Sequence, residues 1–99
     1  FRALMERNNI GWCFWPFKRM DAGRCVVTYD MPRGWDAVQR YDRARGTGYS
    51  SLRAHRPDPA VVRSALKELL HNIRFANCRA NTGYIEALGC RVPEGGLKE

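Results

Sequence analysis

The clearest pattern along the chain is a helical stripe. Val62, Ala65, Leu66, Leu69, Leu70 and Ile73 recur at i, i+3, i+4, i+7, i+8 and i+11, on one face of an α-helix. Asp58 and Pro59 mark its start. A carboxylate at the N-cap accepts an unpaired first-turn N–H, and proline at the next position has no N–H to leave unpaired. The spacing predicts a helix from Pro59 to about Phe75. A shorter helix is expected over Thr82 to Leu88, capped by Asn81 and stopped by Gly89. Residues 1–7 read as the last turns of a helix halted at Asn8-Asn9. After the break at Pro32-Arg33-Gly34, Trp35, Val38 and Tyr41 again recur at helical spacing. The Gly/Ser/Arg-rich connection 42–57 leaves room for a helical turn near Ser51–His55, and the tail from Pro93 reads as loose.

A different pattern occupies Ile10-Gly-Trp-Cys-Phe-Trp-Pro-Phe17, an apolar run of strand length that ends at Pro16. Apolar side chains at both parities predict a strand covered on both faces, as parallel strands under helices are. Trp12 and Phe14 then share one face, and Cys13 and Trp15 the other. Cys25 to Tyr29 is a second β-prone stretch, a candidate short strand. The order helix, buried strand, loop, helix is one turn of an α/β protein. A single buried strand needs parallel neighbours, so the pattern asks for more chain. The half-finished helical turn at Phe1 reads in the same way, as an N-terminus that has been cut. On its own the chain is expected to fold poorly outside the Pro59–Phe75 helix, because an unpaired strand leaves both edges open.

Composition is that of an ordinary globular chain, with 44% hydrophobic and 27% charged residues in 99. The net charge of +7 raises nucleic acid or an anionic surface as a partner. The basic residues are nevertheless spread from Arg2 to Lys98, densest between Arg40 and Arg56, which reads as solvated loop and helix surface, so no nucleic acid is expected as a partner. No apolar run reaches the length of a membrane span. Cys13, Cys25, Cys78 and Cys90 form no CxxC pair, and His55 and His71 lie near none of them, so no metal or other cofactor is expected. Cys13, inside the apolar run, is expected to be a buried thiol. Cys78 and Cys90 flank a short helix and are close enough in sequence for a local disulfide.

The segment Asn9-Ile-Gly-Trp-Cys-Phe-Trp-Pro-Phe-Lys-Arg-Met-Asp21, followed by Cys25-Val-Val and Pro32-Arg-Gly-Trp-Asp36, resembles the eighth strand and eighth helix of glycoside hydrolase family 5. It looks like the cellulase-type branch. The resemblance covers about Phe1 to Tyr41 well and the later helices weakly. It implies an α/β fold, the C-terminal portion of a (β/α)8 TIM barrel, with three to four helices. Residues 1–57 would be the last strand and helix of the barrel, and 58–99 a helical extension. The implied partners are a β-linked polysaccharide and the remainder of the barrel N-terminal to Phe1. The implied location is extracellular or periplasmic.

Carried onto these residues, the resemblance makes Trp15 the sugar platform, at the rim of the barrel where such enzymes hold their sites. A flat indole suits a sugar, whose C–H face is apolar while its edges carry hydroxyls. The alternative for Trp15 is plain core packing. Lys18 and Asp21 would contact neighbouring sugar hydroxyls, or else be solvated loop residues. Trp12 and Phe14 would be helix-facing core, and Trp35 would pack a helix on the barrel.

Retaining glycosidases use two carboxyl groups about 5–5.5 Å apart. The resemblance implies two glutamates upstream of Phe1. Glu6, Glu68, Glu86, Glu94 and Glu99 have no place in that scheme. No catalytic residue is assigned, and the isolated chain is expected to be inactive. Two other classes compete. A small basic nucleic-acid-binding module would set Arg40–Arg56 against phosphates with Tyr41 and Tyr49 for base stacking. An assembly domain would use the Val62–Ile73 stripe as an interface.

Overall fold

The computed structural model describes residues 1–46 and 48–92. In chain order its elements are α1 (Arg2–Arg7), β1 (Lys18–Met20), β2 (Val27–Tyr29), α2 (Trp35–Ala44), α3 (Tyr49–Ala54), α4 (Pro59–Asn72), a 3-10 turn (Phe75–Asn77), β3 (Arg79–Ala80) and α5 (Thr82–Ala87). The chain divides into two compact units. One joins Phe1–Asp30 to the segment from Arg74 onward, and the other is Met31–Ile73.

The first unit is built on a three-stranded mixed sheet of order β1-β2-β3. β1 and β2 run parallel, with Lys18 opposite Val27 and Met20 opposite Tyr29. β3 pairs antiparallel with β2, Val27 opposite Ala80 and Thr28 opposite Arg79. Parallel neighbours ordinarily need a crossover of a dozen or more residues. Here residues 21–26 suffice because the strands are only three residues long, so the chain must travel back only about 10 Å. The reversal begins at Asp21, whose φ of 40° lies in the left-handed region that Asp tolerates better than most residues. Cys25, Val27, Cys78 and Ile85 form the buried centre.

Both short helices of this unit end in the same hydrogen-bonded motif. At α1, Asn9 sits at φ 54°, its N–H reaches Glu6 O, and the Ile10 N–H reaches Met5 O at 2.9 Å. At α5, Gly89 sits at φ 69°, with Gly89 N–H on Glu86 O and Cys90 N–H on Ile85 O. These paired bonds satisfy carbonyls that a helix end otherwise leaves orphaned. Arg2, at the start of α1, ties that helix to the end of α5, donating from Nη1 to Leu88 O at 3.0 Å. Its guanidinium is also held above its ordinary pKa by the hydrogen bond it donates to the Glu6 carboxylate and by that carboxylate's charge.

The second unit holds α2, α3 and α4. Asp58 caps α4 as its position implies, with Oδ1 accepting from the Ala60 N–H at 2.7 Å. The helix stops at Asn72, short of Phe75, because Arg74 adopts an extended conformation at ψ 137° and Phe75 opens the 3-10 turn. Of the α4 stripe only Ala65 is buried, while Leu66 is 44% and Leu70 63% exposed. Gly34 begins α2 at φ 77°, where a Cβ would stand 2.8 Å from Val61 Cγ1. Gly34→Ala therefore combines left-handed strain with a clash against a β-branched side chain. It is expected to cost about 2 kcal/mol, seen as a lower urea midpoint. An unchanged midpoint would mean that α2 begins elsewhere.

This architecture overturns the expected portion of a (β/α)8 barrel. The described residues form a small mixed sheet with five α-helices, not an eighth strand and eighth helix. The apolar run 10–17 has no regular secondary structure, and the ladder begins only at Lys18, although Phe17 O accepts a hydrogen bond from the Val27 N–H. Along it exposure alternates: Trp12, Phe14 and Pro16 are half-buried, while Gly11, Cys13, Trp15 and Phe17 are exposed. The run thus has one covered face instead of two. Apolar identity at both parities was read as two-sided burial, yet identity alone does not supply a second covering layer. The thiol of Cys13 is exposed for the same reason, against the expectation of a buried one. The tail from Pro93 lies outside the described residues.

Candidate functional site

The covered face of residues 10–17 is aromatic. Phe14 lies against Tyr84 of α5 with ring centroids 5.3 Å apart, and Trp12 meets Phe1 edge-on at 6.4 Å. Trp12 and Phe14, with Phe17, Val26, Ile85 and Leu88 among others, line an apolar depression of about 390 Å³. That depression continues the buried centre and presents almost no polar atom for orienting a ligand.

The opposite parity carries Trp15, which is 88% exposed. An indole left this open lies on the surface, so plain core packing does not describe its surroundings. It shares a second depression of about 630 Å³ with Pro16, Lys18, Arg19, Arg24 and Tyr84. Each wall has a separate origin. Trp15 and Pro16, joined by a cis peptide, come from the apolar run, and Lys18 and Arg19 from β1. Arg24 comes from the short β1–β2 link, and Tyr84 from α5, where its ring is already braced by Phe14. The result is one free aromatic face beside three cations. Among the described residues no carboxylate lines this depression.

Of the three residues singled out in the sequence, Trp15 and Lys18 meet here. Asp21 does not. It lines a separate depression of about 330 Å³ with Ala22, Gly23, Thr28, Arg79 and Asn81. Below it lies a knot of polar groups. Asn81 Nδ2 donates to Cys25 O at 2.7 Å and to Thr28 Oγ1 at 2.8 Å, and the Thr28 hydroxyl donates to Ala22 O. Asn81 occupies the N-cap position of α5 as its placement before Thr82 implied, but its side chain makes no capping hydrogen bond. The amide is spent across the sheet instead. Arg79 on β3 pairs with Asp30 at the exit of β2.

The sequence reading missed Arg19, Arg24 and Tyr84. Arg19 and Arg24 flank the run that was singled out, and their charge was the available signal. Tyr84 carried none, since only the packing of α5 on the apolar run brings it there.

The glutamates hold other places. Glu6 pairs with Arg2 at 2.9 Å and Glu68 with Arg33 at 3.2 Å, Glu86 is exposed on α5, and Glu94 and Glu99 lie outside the described residues. Among the described residues no group of three or more His, Cys, Asp or Glu side chains is placed to hold a metal ion. Among them, too, no helix is long and apolar enough to cross a membrane. None of the four cysteines is in a disulfide: Cys25 and Cys78 are buried and Cys90 is exposed, so Cys78 and Cys90 are not bridged. Tyr49 is 77% exposed on α3, while Tyr41 lines a depression of about 400 Å³ in the second unit with Arg56, Pro59 and Arg63. Set against known proteins, the chain matches no family model, no curated protein and no solved structure.

Proposed function

We propose that this chain supplies a sugar-binding wall to a glycoside hydrolase that cleaves O-glycosidic bonds in a β-linked polysaccharide, with Trp15 as the platform. The observation that carries the reading is the exposure of Trp15 at the lip of a depression that also holds hydrogen-bond donors. A pyranose offers an apolar C–H face to an indole and polar groups at its edge. Trp15 provides the flat face, and Lys18, Arg19, Arg24 and the Tyr84 ring surround its edge. The reading assigns the two carboxyl groups of hydrolysis to no residue of this chain. Asp21 lines a separate depression and is not among the residues around Trp15.

The test is affinity electrophoresis of the chain through gels containing soluble β-glucan. Retardation that grows with polymer concentration, and that short β-1,4-linked oligosaccharides reverse, is the expected result. A chain whose far-UV circular dichroism shows its helices but whose mobility is unaffected by the glucan would sink the proposal.

A further inference from the structure

We infer that the sugar held at Trp15 carries a carboxylate, so that the ligand is an acidic, uronate-containing β-linked glycan. The inference rests on the sugar-binding reading and concerns the same depression. Its basis is charge. Among the described residues, three cationic side chains and no acidic one line the depression beside the indole. Arg19 and Arg24 have no carboxylate partner among the described residues, so their charge is open to an anionic ligand. A neutral sugar gives such cations only hydroxyl acceptors, and nothing in it compensates their charge. A uronate places a planar carboxylate at the rim of the ring, in the plane of its edge. When the apolar face lies on Trp15, that carboxylate points outward toward the surrounding cations. A guanidinium fork is matched to a planar carboxylate in a way that an ammonium is not.

The arrangement also separates an acidic sugar from single-stranded nucleic acid. Unspecific strand binding stacks successive bases on successive aromatic faces along a basic groove. This depression has one free face. Its second ring, Tyr84, is half-buried and braced against Phe14. One ring with one anionic edge fits it better than a ladder of bases.

A matched pair of ligands isolates the carboxylate. The full chain is titrated with cellopentaose and with the pentamer of β-1,4-linked glucuronic acid, which differ only in CH₂OH against COO⁻. An oligothymidylate serves as a second polyanion. The acidic pentamer is expected to bind at least tenfold more tightly at low ionic strength, with the advantage shrinking as salt is added. Arg19→Gln/Arg24→Gln should bring the two pentamers to within about twofold of each other. Arg40→Gln/Arg43→Gln on α2 removes the same charge elsewhere and should leave the preference in place.

Equal affinity of the parent chain for both pentamers would overturn the inference and leave the sugar-binding reading standing. Equal losses in the two double variants would overturn it as well, because the preference would then belong to net charge. Tighter binding of oligothymidylate than of the acidic pentamer would do the same in favour of nucleic acid. If neither pentamer binds a chain with intact helices, the sugar-binding reading falls and takes the inference with it.

Discussion

Trp15→Ala is expected to lower the proposed affinity for β-linked glucan oligosaccharides at least tenfold while leaving the stability of the folded chain within about 0.5 kcal/mol of the parent. The two halves of this expectation come from the same fact. At 88% exposure the indole gives up almost no buried surface when it is cut back to a methyl group. For the same reason its whole face is available to a ligand, and hot spots of recognition are concentrated in such rings. Trp15→Phe should keep part of the affinity, since a smaller ring still presents an apolar face. Phe14→Ala supplies the contrast. Its ring packs on Tyr84 at 5.3 Å, so the substitution should lower the melting temperature and weaken binding only through the loss of that brace. Calorimetric titration with paired thermal melts separates these cases. Unchanged affinity in Trp15→Ala would show that the indole is not the platform. Loss of affinity accompanied by a matching loss of stability would show that it is part of the packing.

The local features of this fold were legible because their causes are local. The capping carboxylate of Asp58 and the stops at Asn9 and Gly89 depend on residues within one turn of each other, and the structure places each of them where the pattern does. The α4 stripe forms its helix over Pro59–Asn72 but buries only Ala65. What the pattern does not contain is the covering layer. Hydrophobic parity at residues 10–17 separates Trp12 and Phe14 from Cys13 and Trp15. Whether both faces are covered depends on groups distant in sequence, and here Phe1 and Tyr84 of α5 supply ring contacts to one face. Sheet pairing was hidden for a similar reason. β3 consists of Arg79 and Ala80, two residues with no β signature, and it exists because β2 offers an edge. The candidate site divides along the same line. Its platform and nearest cation come from one continuous string, while Arg24 and Tyr84 arrive through the β1–β2 link and the docking of α5.

Asn81→Ala is expected to be the most destabilising polar substitution in the first unit, at about 2 kcal/mol. One carboxamide reaches across the sheet to two groups, the Cys25 carbonyl and the Thr28 hydroxyl, at 2.7 and 2.8 Å. Thr28 and Cys25 are both buried, so water replaces these bonds poorly. A typical hydrogen bond contributes about 1 kcal/mol net, but a partner left unsatisfied in the interior costs about 1–3 kcal/mol. The backbone bond from Asn81 N–H to Val26 O, and those from Tyr84 and Ile85 N–H to Asn81 O, survive the substitution. The loss therefore measures the side chain and not the start of α5. Asn81→Asp keeps the shape and removes the donors, setting an ionised carboxylate against the Cys25 carbonyl oxygen. It should be at least as damaging. Thr28→Val breaks the same knot from its other end, because the hydroxyl both accepts from Asn81 and donates to Ala22 O. Groups sharing one network are not additive. In urea unfolding the Asn81→Ala/Thr28→Val double variant should be less destabilised than the sum of the singles by about 1 kcal/mol. Strict additivity, or a cost below about 0.5 kcal/mol for Asn81→Ala alone, would mean that the turn from Asp21 to Cys25 is held by the sheet ladder itself. The knot would then be a consequence of that turn, and the placement of Arg24 beside Trp15 would owe nothing to it.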